Sequence, residues 1–165
     1  MRVIKKEYKI EQFLSEYRTD KSKVLNIGSG YAALGDNCVN LDIQNKLGVG
    51  ITGDGHSLPF KDCSFDICIL SAVLQYCRNF FKVKDEVYRV LKPGGYLYID
   101  APFVQPYCID TPDLYRFSKD GLLNIFKDDF SIIDCDISIA GGSALAFYCK
   151  SVTNYIFLIE GSDLF

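Results

Sequence analysis

Val24-Leu25-Asn26-Ile27 is a short apolar run that breaks at once into Gly28-Ser29-Gly30, and a second such run, Val39-Asn40-Leu41-Asp42-Ile43, carries an acid near its end. A strand buried on both faces of a parallel sheet reads in this way. Glycines at its carboxyl end let a ligand reach the backbone where a side chain would stand in the way. An acid ending the neighbouring strand is placed to accept hydrogen bonds from ribose hydroxyls. Together the two runs describe a nucleotide-binding strand pair of a parallel α/β sheet, although Gly-x-Gly taken alone also fits an ordinary strand-to-loop turn.

The connection between them is unusual. Residues 28–37 are all that separates the two strands, whereas a parallel crossover ordinarily takes about a dozen residues with a helix. Returning along a five-residue strand needs roughly 17 Å, and ten extended residues reach about 33 Å. A loop or single turn around Ala32-Ala33-Leu34 therefore closes the crossover, leaving that sheet face thin or covered by another element.

The remaining pattern extends the sheet. Strand-sized apolar runs recur at 49–52, 65–70 and 96–100, and between the last two Phe80, Phe81, Val83, Val87, Val90 and Leu91 make a helical stripe stopped by Pro93-Gly94-Gly95. This strand, helix, turn, strand unit builds a Rossmann-like, doubly wound, mostly parallel α/β sheet. Tyr8, Ile10, Phe13, Leu14 and Tyr17 stand at helical spacing. Ser118 is an N-cap candidate for a helix through Leu122, Leu123 and Phe126, and 130–139 reads as a strand. The chain is read as one domain, with a helical cover (1–22), a core (23–140) and a carboxyl-terminal segment (141–165). Ser143-Ala144-Leu145-Ala146 favours helix in that last segment, against the strand propensity of 155–159.

Composition narrows the partners. With 165 residues, 48% hydrophobic, the chain can bury a core without staples. A net charge of -3 excludes a phosphate-backbone binder, so a small-molecule or carbohydrate partner is expected and nucleic acid is not. The seven cysteines are odd in number and lack a Cys-x-x-Cys pair, which suits reduced thiols in the cytoplasm and no metal centre. The amino terminus lacks the apolar core of a secretory signal, and the longest apolar stretch near the carboxyl end is broken by Lys150 and Asn154, so no membrane span is expected. A monomer or homodimer is expected.

Four segments in order, Ile27-Gly28-Ser29-Gly30, Leu41-Asp42, Gly53-Asp54-Gly55-His56-Ser57-Leu58-Pro59-Phe60 and Val90-Leu91-Lys92-Pro93-Gly94-Gly95, with Cys63-Ser64-Phe65-Asp66 after the third, resemble class I S-adenosylmethionine-dependent methyltransferases over about residues 23–140. The resemblance implies S-adenosylmethionine as cofactor and S-adenosylhomocysteine as product. Gly28, Ser29 and Gly30 would then lie under the methionine part, Asp42 would hold the ribose hydroxyls, and Asp54 with the backbone of Gly55 would address adenine. Leu58 would supply an apolar wall, and Ser71 and Ala72 would line the pocket at the strand ends.

A second run, from Ala101-Pro102-Phe103 through Asp110-Thr111-Pro112-Asp113-Leu114-Tyr115-Arg116-Phe117 to Gly121-Leu122, resembles small methyltransferases of sugar and surface-polysaccharide synthesis. It implies an acceptor loop in which Tyr107 and Tyr115 cover a sugar face and Arg116 takes hydroxyls or phosphate. Two departures stand out: Cys108 and Gln75-Tyr76 occupy positions where that group often has histidine and Glu-His. A thiol and an amide do not replace imidazole as a base near neutrality. Proton removal then falls to Asp110, Asp113 or His56. The expected function is methyl transfer to an oxygen or nitrogen of a small polar acceptor, such as a sugar or nucleotide-sugar. The alternatives are a cofactor-binding interaction or regulatory domain without turnover, and a nicotinamide-linked oxidoreductase, which the missing third glycine weakens.

Overall fold

A computed structural model describes residues 10–32, 34–103, 105–139 and 153–161, with 136–139 and 153–161 described by backbone alone. The elements are α1 (Ile10–Tyr17), β1 (Val24–Ile27), β2 (Cys38–Asp42), β3 (Ile51–Thr52), β4 (Phe65–Ser71), a 3₁₀ turn (Leu74–Tyr76), α2 (Phe80–Val90), β5 (Leu91–Pro102), α3 (Lys119–Phe126), β6 (Phe130–Ile139) and β7 (Thr153–Gly161). They form a seven-stranded sheet in the order β3-β2-β1-β4-β5-β7-β6. The first five strands are parallel, and β7 is antiparallel to both β5 and β6.

The expected doubly wound, mostly parallel sheet is present, with one correction. The carboxyl-terminal segment was expected to be helical, but residues 153–161 form β7, inserted between β5 and β6. Its run of Tyr, Ile, Phe, Leu and Ile suits a strand with sheet neighbours on both sides, and that tertiary setting decides over the small residues before it. Ser143-Ala144-Leu145-Ala146 lies outside the described residues, as does the start of the amino-terminal helix before Ile10.

Alternation along the strands divides the core. Leu25 and Ile27, Cys68 and Leu70, and Leu97 and Ile99 face one side, where Val83, Val87 and Val90 of α2 and Leu122, Ile125 and Phe126 of α3 cover them. Val24, Ile67, Ile69 and Tyr98 face the other side, packed against Phe13 of α1. Asn79 and Ser118 cap α2 and α3, accepting from the Lys82 and Gly121 amides at 3.1 Å in each case. An eight-residue helix such as α1 is marginal alone. Its stability comes from the fully buried Phe13, worth about 1.5–3 kcal/mol of burial, and from Tyr17, whose ring lies 4.5 Å from that of Tyr96.

No helix joins Ile27 to Cys38 among the described residues. Arg18, just past α1, holds the loop by donating to the carbonyls of Leu34 and Asp36. Beneath it the cross-strand pair Asn26 and Asn40 is buried, Asn26 Nδ2 donating to Asn40 Oδ1 at 3.1 Å and reaching the Ala32 carbonyl at 3.5 Å. Leu34 joins the cluster around Phe13. The thin face is thus closed by α1 and a pinned loop.

Candidate functional site

At the carboxyl ends of β1, β2 and β4 lies a cavity of about 240 Å³. Open parallel sheets bind ligands at this edge. Gly28, Gly30, Asp42, Asp54, Gly55, His56 and Ala72 line it, together with Ile43, Gln44, Lys46, Val73, Tyr76, Cys77 and Thr111. Seven residues singled out from sequence are therefore brought to one chamber.

Gly28 has φ +66°, and a Cβ there would stand 2.5 Å from Val73 Cγ2. The turn after β1 and the turn after β4 touch so closely that only glycine fits. Gly30 differs: its φ is +56°, and an added Cβ would meet nothing within 4 Å, so the space beside it is left for a ligand. Asp42 is buried, its Oδ2 accepting from the Gly30 amide at 2.8 Å and its Oδ1 from the Gln44 amide at 2.8 Å. These bonds aim the carboxylate, and each oxygen keeps a further lone pair for a hydroxyl.

On the far side of the cavity, Asp54 Oδ1 accepts from the His56 amide at 2.9 Å and lies 2.6 Å from His56 Nδ1. The His56 amide above all holds the Asp54 carboxyl below its ordinary pKa, against a smaller burial effect, with further lowering by the His56 ring. His56 Nε2 accepts from the Asn79 amide at the start of α2 at 3.3 Å. That bond fixes the tautomer with the proton on Nδ1 and commits both ring nitrogens. His56 thus bridges the Asp54 turn and α2 through both ring nitrogens.

The acceptor loop brings one residue, Thr111, to the cavity wall. It docks on the 3₁₀ turn, where the Gln75 carbonyl accepts from the Leu114 and Tyr115 amides at 2.9 and 3.1 Å. Arg116 is spent within the loop, donating to Asp113 Oδ1 and Oδ2 at 2.5 and 2.8 Å. With Arg116 as the main cause, and the Cys108 amide and Gln105 adding to it, the Asp113 carboxyl is held down to about 2. A carboxylate so stabilised is a poor base. In this structure Asp113 and Arg116 pair with each other and anchor the loop. Asp110 and Tyr107 stand exposed on the loop. Tyr115 packs its ring edge on Phe80, centroids 5.2 Å apart.

Leu58, Ser29 and Ser71 are outside the cavity lining. Leu58 is buried in the core against α2, instead of forming the expected wall. The Ser29 hydroxyl is buried with no partner, an unfilled acceptor and donor in the glycine turn. Ser71 Oγ donates to Asp100 Oδ2 at 2.7 Å.

Sequence reading missed what holds the Asp54 loop. Glu86 on α2 accepts the Leu58 amide through Oε2 at 2.7 Å, and Arg89, one turn on, donates to the Leu58 and Phe60 carbonyls at 3.0 and 2.8 Å and forks onto Glu86. The signal was present in the Glu86-x-x-Arg89 spacing beside the apolar stripe, since residues three apart share a helix face. Among the described thiols, Cys68 and Cys77 are buried, Cys63 is exposed, and Cys38, Cys108 and Cys135 are intermediate. Burial pushes the Cys77 thiol up to about 11, with a smaller push from Asp54. Among the described residues no helix is long and apolar enough to cross a membrane.

The order of the strands, with a glycine turn and two acids at the cavity, is that of the Rossmann-like fold seen in methyltransferases. Residues 27–99, from the end of β1 through most of β5, match the family described as a methyltransferase domain. The chain is 32% identical over 101 residues to the malonyl-[acyl-carrier protein] O-methyltransferase of Erwinia billingiae, a match covering 50% of this chain and 40% of that one. It is 35% identical over 100 residues to the biotin biosynthesis bifunctional protein BioHC of Cellvibrio japonicus, covering 50% of this chain and 20% of the other. The chain thus spans less than half the length of these curated relatives. A crystal structure of a SAM-dependent methyltransferase from Methanosarcina mazei superposes with a TM-score of 0.69 at 17% identity, over 91% of this chain and 97% of that one.

These residues fit S-adenosylmethionine: open space at Gly30, an unpartnered hydroxyl at Ser29, and two acids, Asp42 and Asp54, in the lining. They do not suit a dinucleotide, whose pyrophosphate sits on the amino end of the helix after the glycine turn. Among the described residues no helix follows the turn.

Proposed function

We propose that this chain transfers the methyl group of S-adenosylmethionine to an oxygen or nitrogen of a small polar acceptor, and that the acceptor is a sugar or nucleotide-sugar. One observation carries the reading: the cavity unites the glycine turn, Asp42, Asp54 and Ala72 at the strand ends, with Thr111 of the acceptor loop at its mouth. When bound, the cofactor supplies a methyl group already activated on a sulfonium. Gly28 and Gly30 admit its tail to the backbone, Asp42 accepts from the ribose, and Asp54, stiffened by His56, accepts from the adenine amino group. The chain's main contribution is alignment, which in well-oriented systems accounts for about 7–11 kcal/mol of a barrier.

The sugar assignment rests on the loop's resemblance and on the rings of Tyr107 and Tyr115, which are exposed beside polar groups. Isotopically labelled methyl donor offered to UDP-glucose, UDP-N-acetylglucosamine and glucosamine tests it. Label in one of them supports the reading. S-adenosylhomocysteine binding without transfer to any of them favours the non-catalytic binding domain, and no binding refutes the cofactor assignment for the chain.

A further inference from the structure

His56 and Asp113 are engaged in hydrogen bonds elsewhere, and Asp110 is exposed and outside the cavity lining. We infer that Asp100, oriented by Ser71, takes the acceptor's proton during transfer. The inference rests on the methyltransferase reading above.

Ser71 and Asp100 are the last paired residues of the β4–β5 ladder, so both stand at the strand edge where the cavity opens. The Ser71 hydroxyl donates to Asp100 Oδ2 at 2.7 Å. Among the described residues no group donates to Oδ1, which keeps its lone pairs. The backbone of the same aspartate holds the cavity wall, its carbonyl accepting from the Ala72 amide at 2.9 Å. Ala72 lines the cavity and has φ +52°. A non-glycine residue in that region is strained, and such strain gathers where a fold fixes a functional turn. One residue thus ties the cavity wall by its carbonyl, while its carboxylate, outside the lining itself, keeps one oxygen without a donor.

The setting makes that carboxylate a stronger base than one in water. Burial raises its pKa, and the Ser71 hydroxyl lowers it by a smaller amount. Ile156 of β7 stands opposite it in register, and the α1 rings on this side, Phe13 and Tyr17, pack against Tyr98 and Tyr96 of β5. None of these partners is charged. The balance of the step is simple: the acceptor oxygen or nitrogen bonds to the methyl carbon, the carbon–sulfur bond breaks with its electron pair left on a neutral thioether, and the acceptor's proton passes to Asp100 Oδ1.

The test uses the full chain and its Asp100→Asn, Asp100→Glu and Ser71→Ala variants. Calorimetry with S-adenosylhomocysteine should give affinities within about twofold of wild type, because the near-isosteric amide keeps the Ser71 bond. Labelled methyl transfer to the best acceptor of the sugar panel should fall by roughly 10²–10⁴ in kcat for Asp100→Asn, with the acidic limb of the pH profile lost, and Asp100→Glu should restore part of it. Carboxyl carbon NMR should show one group, missing in Asp100→Asn, titrating above the ordinary carboxylate range and higher still in Ser71→Ala. Turnover of Asp100→Asn within threefold of wild type, an equal loss of cofactor-product affinity, or an ordinary titration would overturn the assignment. Transfer to none of the panel by wild type would count against the sugar reading, and the titration would still judge Asp100.

Discussion

Removing the Glu86 carboxylate tests whether the adenine side of the cavity is held from α2. In Glu86→Ala the Leu58 amide, on a residue 4% exposed, loses its 2.7 Å acceptor, and a buried donor left unpaired costs about 1–3 kcal/mol. Arg89 loses its fork onto Glu86 but keeps Asp62 at 2.8 Å and the two carbonyls. Breaking a fully buried pair costs about 3–5 kcal/mol. Because the Arg89 side chain is 32% exposed and keeps partners, about 1 kcal/mol is the fitting figure. The sum is about 2–4 kcal/mol, and at its midpoint a domain of this size should lose about 6–12 °C in Tm. Glu86→Gln keeps an acceptor for Leu58 and gives up the charge, so its loss should be about a third as large. Thermal unfolding, with S-adenosylhomocysteine titrations at 25 °C, reads both effects, and the freed 54–60 loop should weaken binding in Glu86→Ala. The hydrogen bonds from Arg89, chiefly, hold the Glu86 pKa below its ordinary value. The stabilisation is therefore complete above the unfolded carboxylate value and fades as pH falls through the lower folded one. The wild-type advantage should vanish in acid. Equal midpoints for all three proteins at neutral pH, or undiminished product binding in Glu86→Ala, would refute the reasoning.

Other expectations follow from the same geometry. Gly28→Ala should destabilise the fold by about 2–5 kcal/mol, adding left-handed strain to the clash with Val73, while Gly30→Ala, with the strain but no clash, should cost about 1–2 kcal/mol and lose product affinity; denaturant unfolding beside calorimetry separates them. Asp54→Ala should weaken S-adenosylhomocysteine by about 1–3 kcal/mol, and unchanged affinity would mean that adenine binds elsewhere. The ion pair of Asp113, with its folded pKa near 2, should anchor the acceptor loop fully above the unfolded aspartate value and release it as pH falls toward 2. Loop amide shifts in NMR should follow that course in wild type, and in Asp113→Asn should resemble the acid form at every pH.

The sheet was legible because a parallel strand buried on both faces leaves little choice: runs 24–27, 39–43 and 65–70 carry apolar residues to two covers at once. The helix-less crossover was legible from chain length alone. Strand β7 was not, because its local preferences compete with those of the residues before it and its place depends on β5 and β6, both distant in sequence. In the site, backbone-defined features such as Gly28, Gly30 and Asp42 could be placed from spacing, since turns fix where their atoms lie. The partners of His56, Asp113 and Arg116 could not, because a side chain's hydrogen bond is settled by neighbours that spacing does not reveal. Asp100 escaped notice for the same reason: in sequence it is an acid ending a strand, and only the ladder sets it against Ser71.

The pinned loop between β1 and β2 has a dynamic consequence. In place of the helix of an ordinary parallel crossover, the described residues form a flap fastened by Arg18 and an asparagine rung. Such a flap can lift while the strands beneath stay paired. Amides of residues 34–37, at the amino-terminal edge of β1 and β2, should accordingly exchange with solvent long before those of β1 and β4.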